Sequence, residues 1–103
     1  MRICLAQFNT TIVDFAGNLA RITAACERER AAGIQVVVTP ELAVTGYPPL
    51  DLLERPDVLQ AGLDAVPTLA HASRGLTLIA GVALPNHEPG RPAINAALVL
   101  TDG

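Results

Sequence analysis

The sequence predicts an α/β domain with the element order β-α-β-α-β-β. Three observations carry that prediction. Residues 34–38 (IQVVV) are β-branched and almost wholly apolar, as in a parallel-sheet strand covered on both faces. Residues 17–32 repeat apolar side chains at helical spacing and lead into that strand through Gly33. Two further apolar runs, 76–84 (LTLIAGVAL) and 93–101 (AINAALVLT), follow a second helical stretch and are separated only by turn residues.

Residues 2–8 (RICLAQF) are short, apolar-rich and closed by Asn9-Thr10-Thr11, which predicts a buried strand and then a loop. The apolar run is too short for an export signal. In the first helix Leu19, Ile22 and Cys26 fall at i, i+3 and i+7, with Ala25 beside them. Arg21, Arg28 and Glu29 mark its polar side, and Gly33 supplies the stop. The β-α-β unit so formed predicts a right-handed crossover between parallel neighbours. Pro48-Pro49 punctuate the next loop, and residues 51–54 are at most one helical turn. Pro56 suits the first position of a second helix with the stripe Leu59, Leu63, Val66 and Ala70. Pro67 lies inside that stripe and predicts a kink, or a break and restart. His71 and Arg74 suit the negative pole of the helix, which Gly75 ends. The loop PNHEPGRP joins the last two strands. No repeat, low-complexity run or linker marks a domain boundary.

Half of the 103 residues are apolar, enough for one core, and aromatics are limited to Phe8, Phe15 and Tyr47. A net charge of −3 without a basic cluster argues against a nucleic-acid partner. No apolar run reaches the ~18 residues of a membrane helix, so no membrane is expected as a partner. Cys4 and Cys26 sit in unlike contexts with no metal or redox spacing, which fits a reduced, cytoplasmic protein. All seven basic residues are arginine; the sequence has no lysine.

The stretch TPELAVTGYPPLDLL, residues 39–53, places Glu41 directly after a strand and a proline. In open α/β sheets functional groups gather beyond the carboxyl ends of the strands. A partly desolvated carboxylate there is suited to general-base work. The other reading of Glu41 is a solvated loop residue capping the next turn. Gly46 stands where a left-handed backbone would fold the chain back. Tyr47 either reaches the same crevice with its hydroxyl or packs on the two prolines. Cys4, inside a strand, and Cys26, on the apolar face of a helix, are expected to be unreactive structural thiols. His71 and His87 read as a helix-end and a loop residue.

Four stretches together, RICLAQFN, VVVTPELAVTGYPPLDLL with its preceding helix, GLTLIAGVALP and INAALVLTDG, resemble the N-terminal part of the nitrilase (carbon–nitrogen hydrolase) superfamily. The run T-G-Y-P-P-x-D-L-L is most similar to its glutaminase branch, the domain that serves glutamine-dependent NAD synthetases. The resemblance implies the N-terminal part of an α-β-β-α sandwich, in which two sheets pack face to face. It also implies a Glu-Lys-Cys hydrolase: cysteine attacks the glutamine side-chain amide, glutamate moves protons, and lysine helps hold the oxyanion. Glu41 matches the glutamate, and Tyr47, by its place beside the same crevice, is the candidate substrate-binding residue. Residues 1–103 would then be a partial domain that stops before the expected lysine and cysteine. By the same resemblance glutamine is the substrate and the full-length protein a homo-oligomer. No cofactor belongs to this segment; ATP and Mg would serve a downstream synthetase domain. Two other readings stay open: part of a stand-alone amidase or nitrilase, and a catalytically inert α/β fragment.

Overall fold

The computed structural model describes the chain from Met1 to Gly103. Its elements are β1 (Ile3–Leu5), α1 (Phe15–Ala31), β2 (Val36–Val38), a 3₁₀ turn (Leu50–Glu54), α2 (Pro56–Asp64), α3 (Val66–Ala72), β3 (Thr77–Pro85) and β4 (Ala93–Thr101). The strands form one sheet in the order β1-β2-β3-β4. β1, β2 and β3 run parallel, and β4 returns antiparallel to β3. The order β-α-β-α-β-β holds, with the second helix divided in two.

Each boundary has a local cause. α1 starts at Phe15, earlier than its apolar period, because the Asp14 carboxylate accepts the Gly17 N–H at 3.0 Å. The second helix ends at Asp64 and restarts at Val66, with Pro67 in the first turn of α3. There a missing N–H leaves no bond unmade. Arg30 then crosses from α1 and donates to the Arg74 and Ala72 carbonyls at 2.6 Å each. One guanidinium thus closes carbonyls that the end of α3 leaves unpaired.

The main core lies between the helices and one face of the sheet. Ile22 and Cys26 of α1 and Leu69 and Ala72 of α3 pack with Val37, Leu78, Ala80 and Val82 of the strands. The second apolar stripe is not the one read from the sequence. Leu63 is exposed, and the buried positions are Val58, Leu59, Gly62, Ala65 and Leu69. Gly62 explains the rotation. A Cβ there would sit 2.4 Å from the Ala83 carbonyl oxygen, so the bare backbone lets α2 lie on β3. A hydropathy pattern counts no apolar side chain at that position.

Two further expectations are corrected. β1 is not a buried strand: Ile3 is 56% and Leu5 71% exposed. Nor is β2 covered on both faces, for only Val37 is buried and Val36 and Val38 are partly open. The register shows why. Leu5, Val38, Ile79 and Val99 form one row across all four strands, on the face opposite the helices. Val99, in that row, is 67% exposed. The apolar composition suits two covered faces, and α1 and α3 occupy only one.

An open row of this kind drives association. Sedimentation velocity on the purified chain is expected to show self-association at micromolar concentration. The double variant Leu5→Lys with Val99→Lys is expected to sediment as a monomer with unchanged far-UV circular dichroism. A wild-type chain that is monodisperse and monomeric would contradict this.

Candidate active site

The loop after β2 is bonded to β3 almost as if the strand continued. The Thr39 N–H donates to the Ile79 carbonyl at 3.0 Å, and Val44 N–H to the Gly81 carbonyl at 3.1 Å. In return Gly81 N–H donates to Thr39 Oγ1 at 3.1 Å, and Ala83 N–H to Thr45 Oγ1 at 3.2 Å. Between these ties residues 40–43 bulge outward, closed by an Ala43 N–H to Pro40 carbonyl bond. Glu41 sits in that bulge, past the end of β2. Leu42 holds the left-handed φ of +52°, sparsely populated for a branched side chain. Packing against Leu59 and Ala83 keeps it there.

Two glycines make the bulge possible. A Cβ on Gly81 would lie 2.6 Å from the Leu42 nitrogen and 2.7 Å from the Pro40 oxygen. Gly46, at φ +96°, turns the chain back as the sequence indicated, and a Cβ there would strike the backbone of Ile12. The buried Asn18 amide donates to the carbonyls of Thr11 and Val44, joining α1 to both site loops. Its carbonyl accepts the Thr11 N–H.

Glu41 borders two clefts. One, of about 300 Å³, is walled by Phe8, Asn9, Thr10, Pro40 and Tyr47. The other, of about 340 Å³, lies on the open sheet face over Val38, Ile79, Gly81 and Asn95. Tyr47 therefore shares a cleft with Glu41; its backbone N–H donates to Thr10 Oγ1 at 3.2 Å. The expected desolvation of Glu41 is absent, since the residue is exposed. What the carboxylate has is a partner that sequence reading missed: Asn95 Nδ2 donates to Glu41 Oε1 at 2.6 Å. The only available signal was one amide inside the apolar run of β4.

The cysteines lie elsewhere. Cys4 belongs to the row Cys4, Val37, Leu78 and Leu100, on the helix side of the sheet, and Cys26 is buried beneath it in α1. The sheet thus stands between Glu41 and both thiols. Burial raises the Cys4 thiol above its ordinary value, helped by Glu29 and opposed by Arg28. Burial likewise raises Cys26, against the lowering effect of Arg30. His71 lies in the last turn of α3 and His87 in the exposed β3–β4 loop, and neither lines a cleft with Glu41. No three His, Cys, Asp or Glu side chains converge as a metal site requires, and no helix is long and apolar enough to cross a membrane. A separate cleft of about 430 Å³, beside β1 and α1, carries Arg21 and Arg28 but no group positioned for acid–base work with Glu41.

Comparison with known proteins sets this geometry in context. The family model described as carbon-nitrogen hydrolase matches residues 2–103. A glutamine-dependent NAD(+) synthetase of Xylella fastidiosa is 39% identical over 104 residues, covering 100% of this chain and 18% of that protein. One of Thermotoga maritima is 35% identical over 105 residues, with the same coverage of 100% and 18%. The chain therefore spans 18% of the length of these relatives. Among solved structures, glutamine-dependent NAD+ synthetase from Acinetobacter baumannii superposes with a TM-score of 0.86 at 27% identity, over 97% of this chain and 18% of that one. An amidase from Nesterenkonia sp. gives 0.83 at 26%, over 99% and 38%.

Two measurements check the site's construction. Gly81→Ala forces the 40–42 backbone off β3, with an expected destabilisation of about 1–3 kcal/mol in urea unfolding, and the Glu41 and Leu42 amide resonances are expected to move furthest. Thiol labelling in the folded chain is expected to accelerate only at a pH above that of a free cysteine, because raised thiols hold less thiolate at neutrality. Rapid labelling of Cys26 at pH 7 without denaturant would refute its burial.

Proposed function

The chain belongs to the carbon–nitrogen hydrolase family, and from that premise we propose that it forms part of the glutaminase of a glutamine-dependent NAD synthetase. The observation that carries this reading is likeness over the whole chain to synthetases of that name, at 39% and 35% identity. The amidase alternative has weaker support, a structural likeness at 26% identity. In this reading glutamine is the substrate, and the ammonia released from its side-chain amide goes on to amidate a deamido-NAD. The protein works in the cytoplasm as a homo-oligomer, without nucleic acid or membrane as a partner.

Glu41 takes the role of general base and acid. It stands at the carboxyl edge of the sheet with Tyr47 on the wall of the same cleft, a position suited to receiving an amide. A carboxylate alone makes no thioester and holds no oxyanion. This sequence has no lysine, and its thiols lie across the sheet, so both remaining roles fall to groups outside these residues. ATP and Mg would act at a synthetase domain and contribute nothing to the proton transfers assigned here.

A coupled ammonia assay on the 103-residue chain is expected to give no glutamine turnover above background. A chimera joining it to the downstream sequence of the Xylella fastidiosa relative is expected to turn glutamine over, and Glu41→Gln to lower kcat by at least about 10³-fold. Turnover by the chain alone that vanishes in Cys4→Ser or Cys26→Ser would overturn this assignment of roles. Full activity in the Glu41→Gln chimera would refute the role of Glu41.

A further inference from the structure

Glu41 lies on a loop, and no backbone donor anchors its carboxylate. Its hydrogen-bonding partner is Asn95, 54 residues later, at 2.6 Å. Asn95 stands near the start of β4, paired in register with Ala83 of β3. β3 in turn carries the loop that presents Glu41. Both ends of the contact are therefore referred to the same strand. Within β4, the other polar side chain, Thr101, sits at the far end and pairs with Thr77.

We propose that Asn95 is a positioning residue for Glu41, holding the carboxylate in one orientation between the two clefts through both halves of a proton-transfer cycle. The inference rests on the proposed acid–base role of Glu41. An amide carries a donor and an acceptor on one planar group. Its NH₂ donates to the ionised carboxylate, as seen here. A half-turn about χ2 presents the carbonyl oxygen, which accepts the proton of the neutral acid. Lysine would serve only the ionised form, and aspartate would repel it. An asparagine keeps hold of a glutamate that must be base in one step and acid in the next. The contact is solvent-exposed and contributes little to stability, so its loss should alter orientation and leave the fold unchanged.

The test compares Asn95→Leu and Asn95→Asp with Asn95 itself, in the monomeric Leu5→Lys/Val99→Lys chain. By NMR, the Asn95 side-chain amide protons are expected to shift with pH as the carboxyl titrates. That dependence should vanish in Glu41→Gln. Asn95→Leu is expected to leave the backbone amide fingerprint intact while the Glu41 side-chain couplings collapse to rotamer averages. A Glu41 side chain still locked in one rotamer in Asn95→Leu, or Asn95 amide protons indifferent to Glu41→Gln, overturns the proposal. In the chimera, Asn95→Leu is expected to lower kcat about 10-fold with KM within twofold, and Asn95→Asp to move the acid limb of the pH–rate profile upward. Unchanged kcat in Asn95→Leu alongside an inactive Glu41→Gln refutes the positioning role alone. An active Glu41→Gln chimera refutes the function reading instead, and the NMR outcome still decides whether Asn95 orients the carboxylate.

Discussion

The backbone contact over Gly81 is the constraint on which the site depends. Without a side chain at that position, the 40–42 backbone approaches to distances no Cβ would tolerate. The hydrogen bonds of Thr39, Val44 and Thr45 to β3 then fix the loop as an extension of the sheet. The strained φ of Leu42 is the local consequence. Such a conformation costs on the order of 1–3 kcal/mol and persists only when the surroundings over-determine it. Here they do, through burial of the Leu42 side chain and bonds on both sides of the bulge. The result is a carboxylate displayed from a loop with the positional definition of a strand.

The same sheet separates two environments. On the helix side, Ile22, Cys26 and Leu69 close over Val37 and Leu78 without a buried polar side-chain atom left unpaired. On the other side, Leu5, Val38, Ile79 and Val99 meet solvent, and the cleft beside Glu41 opens onto that surface. A layer laid over the open row would bury apolar area and remove water from the Glu41 cleft in one step. Stability and the strength of electrostatic interactions at the site are thereby coupled, because charge–dipole contacts gain strength as water leaves.

Much of this was legible in the sequence, for identifiable reasons. Element order followed from apolar periodicity and from Gly33, Pro56, Pro67 and Gly75, each of which acts within a few residues of its own position. Glu41 could be singled out because Pro40 and a β-branched run fix its place relative to a strand end. What escaped depends on distance or on absence. Gly62 and Gly81 matter through atoms they lack, so hydropathy assigns them nothing. The cap at Asp14 lies ahead of the apolar period, which hid the true start of α1. The open face of β1 and β2 was misread because apolar residues announce that a face suits burial, not which element arrives to cover it. Asn95 could not be matched to Glu41 from spacing, since the pairing of β3 with β4 and the bulge over Gly81 must both exist before the two meet.

The position of the thiols carries the chemistry a step further. On the proposed acid–base role, a nucleophile served by Glu41 must approach within hydrogen-bonding reach of its carboxylate, roughly 3 Å. Strand alternation sends Cys4 to the helix side, and Cys26 lies beneath the same face, while Glu41 borders a cleft on the other. Moving Cys4 across would require turning β1 by one residue, which would break its register with β2, and Cys26, fully buried in α1, would have to leave the core. The fold that makes Glu41 precise therefore excludes both cysteines as its partners. On the proposed acid–base role, a nucleophile for this carboxylate would enter through one of the two clefts that Glu41 borders, the second of which opens onto the apolar row of the sheet.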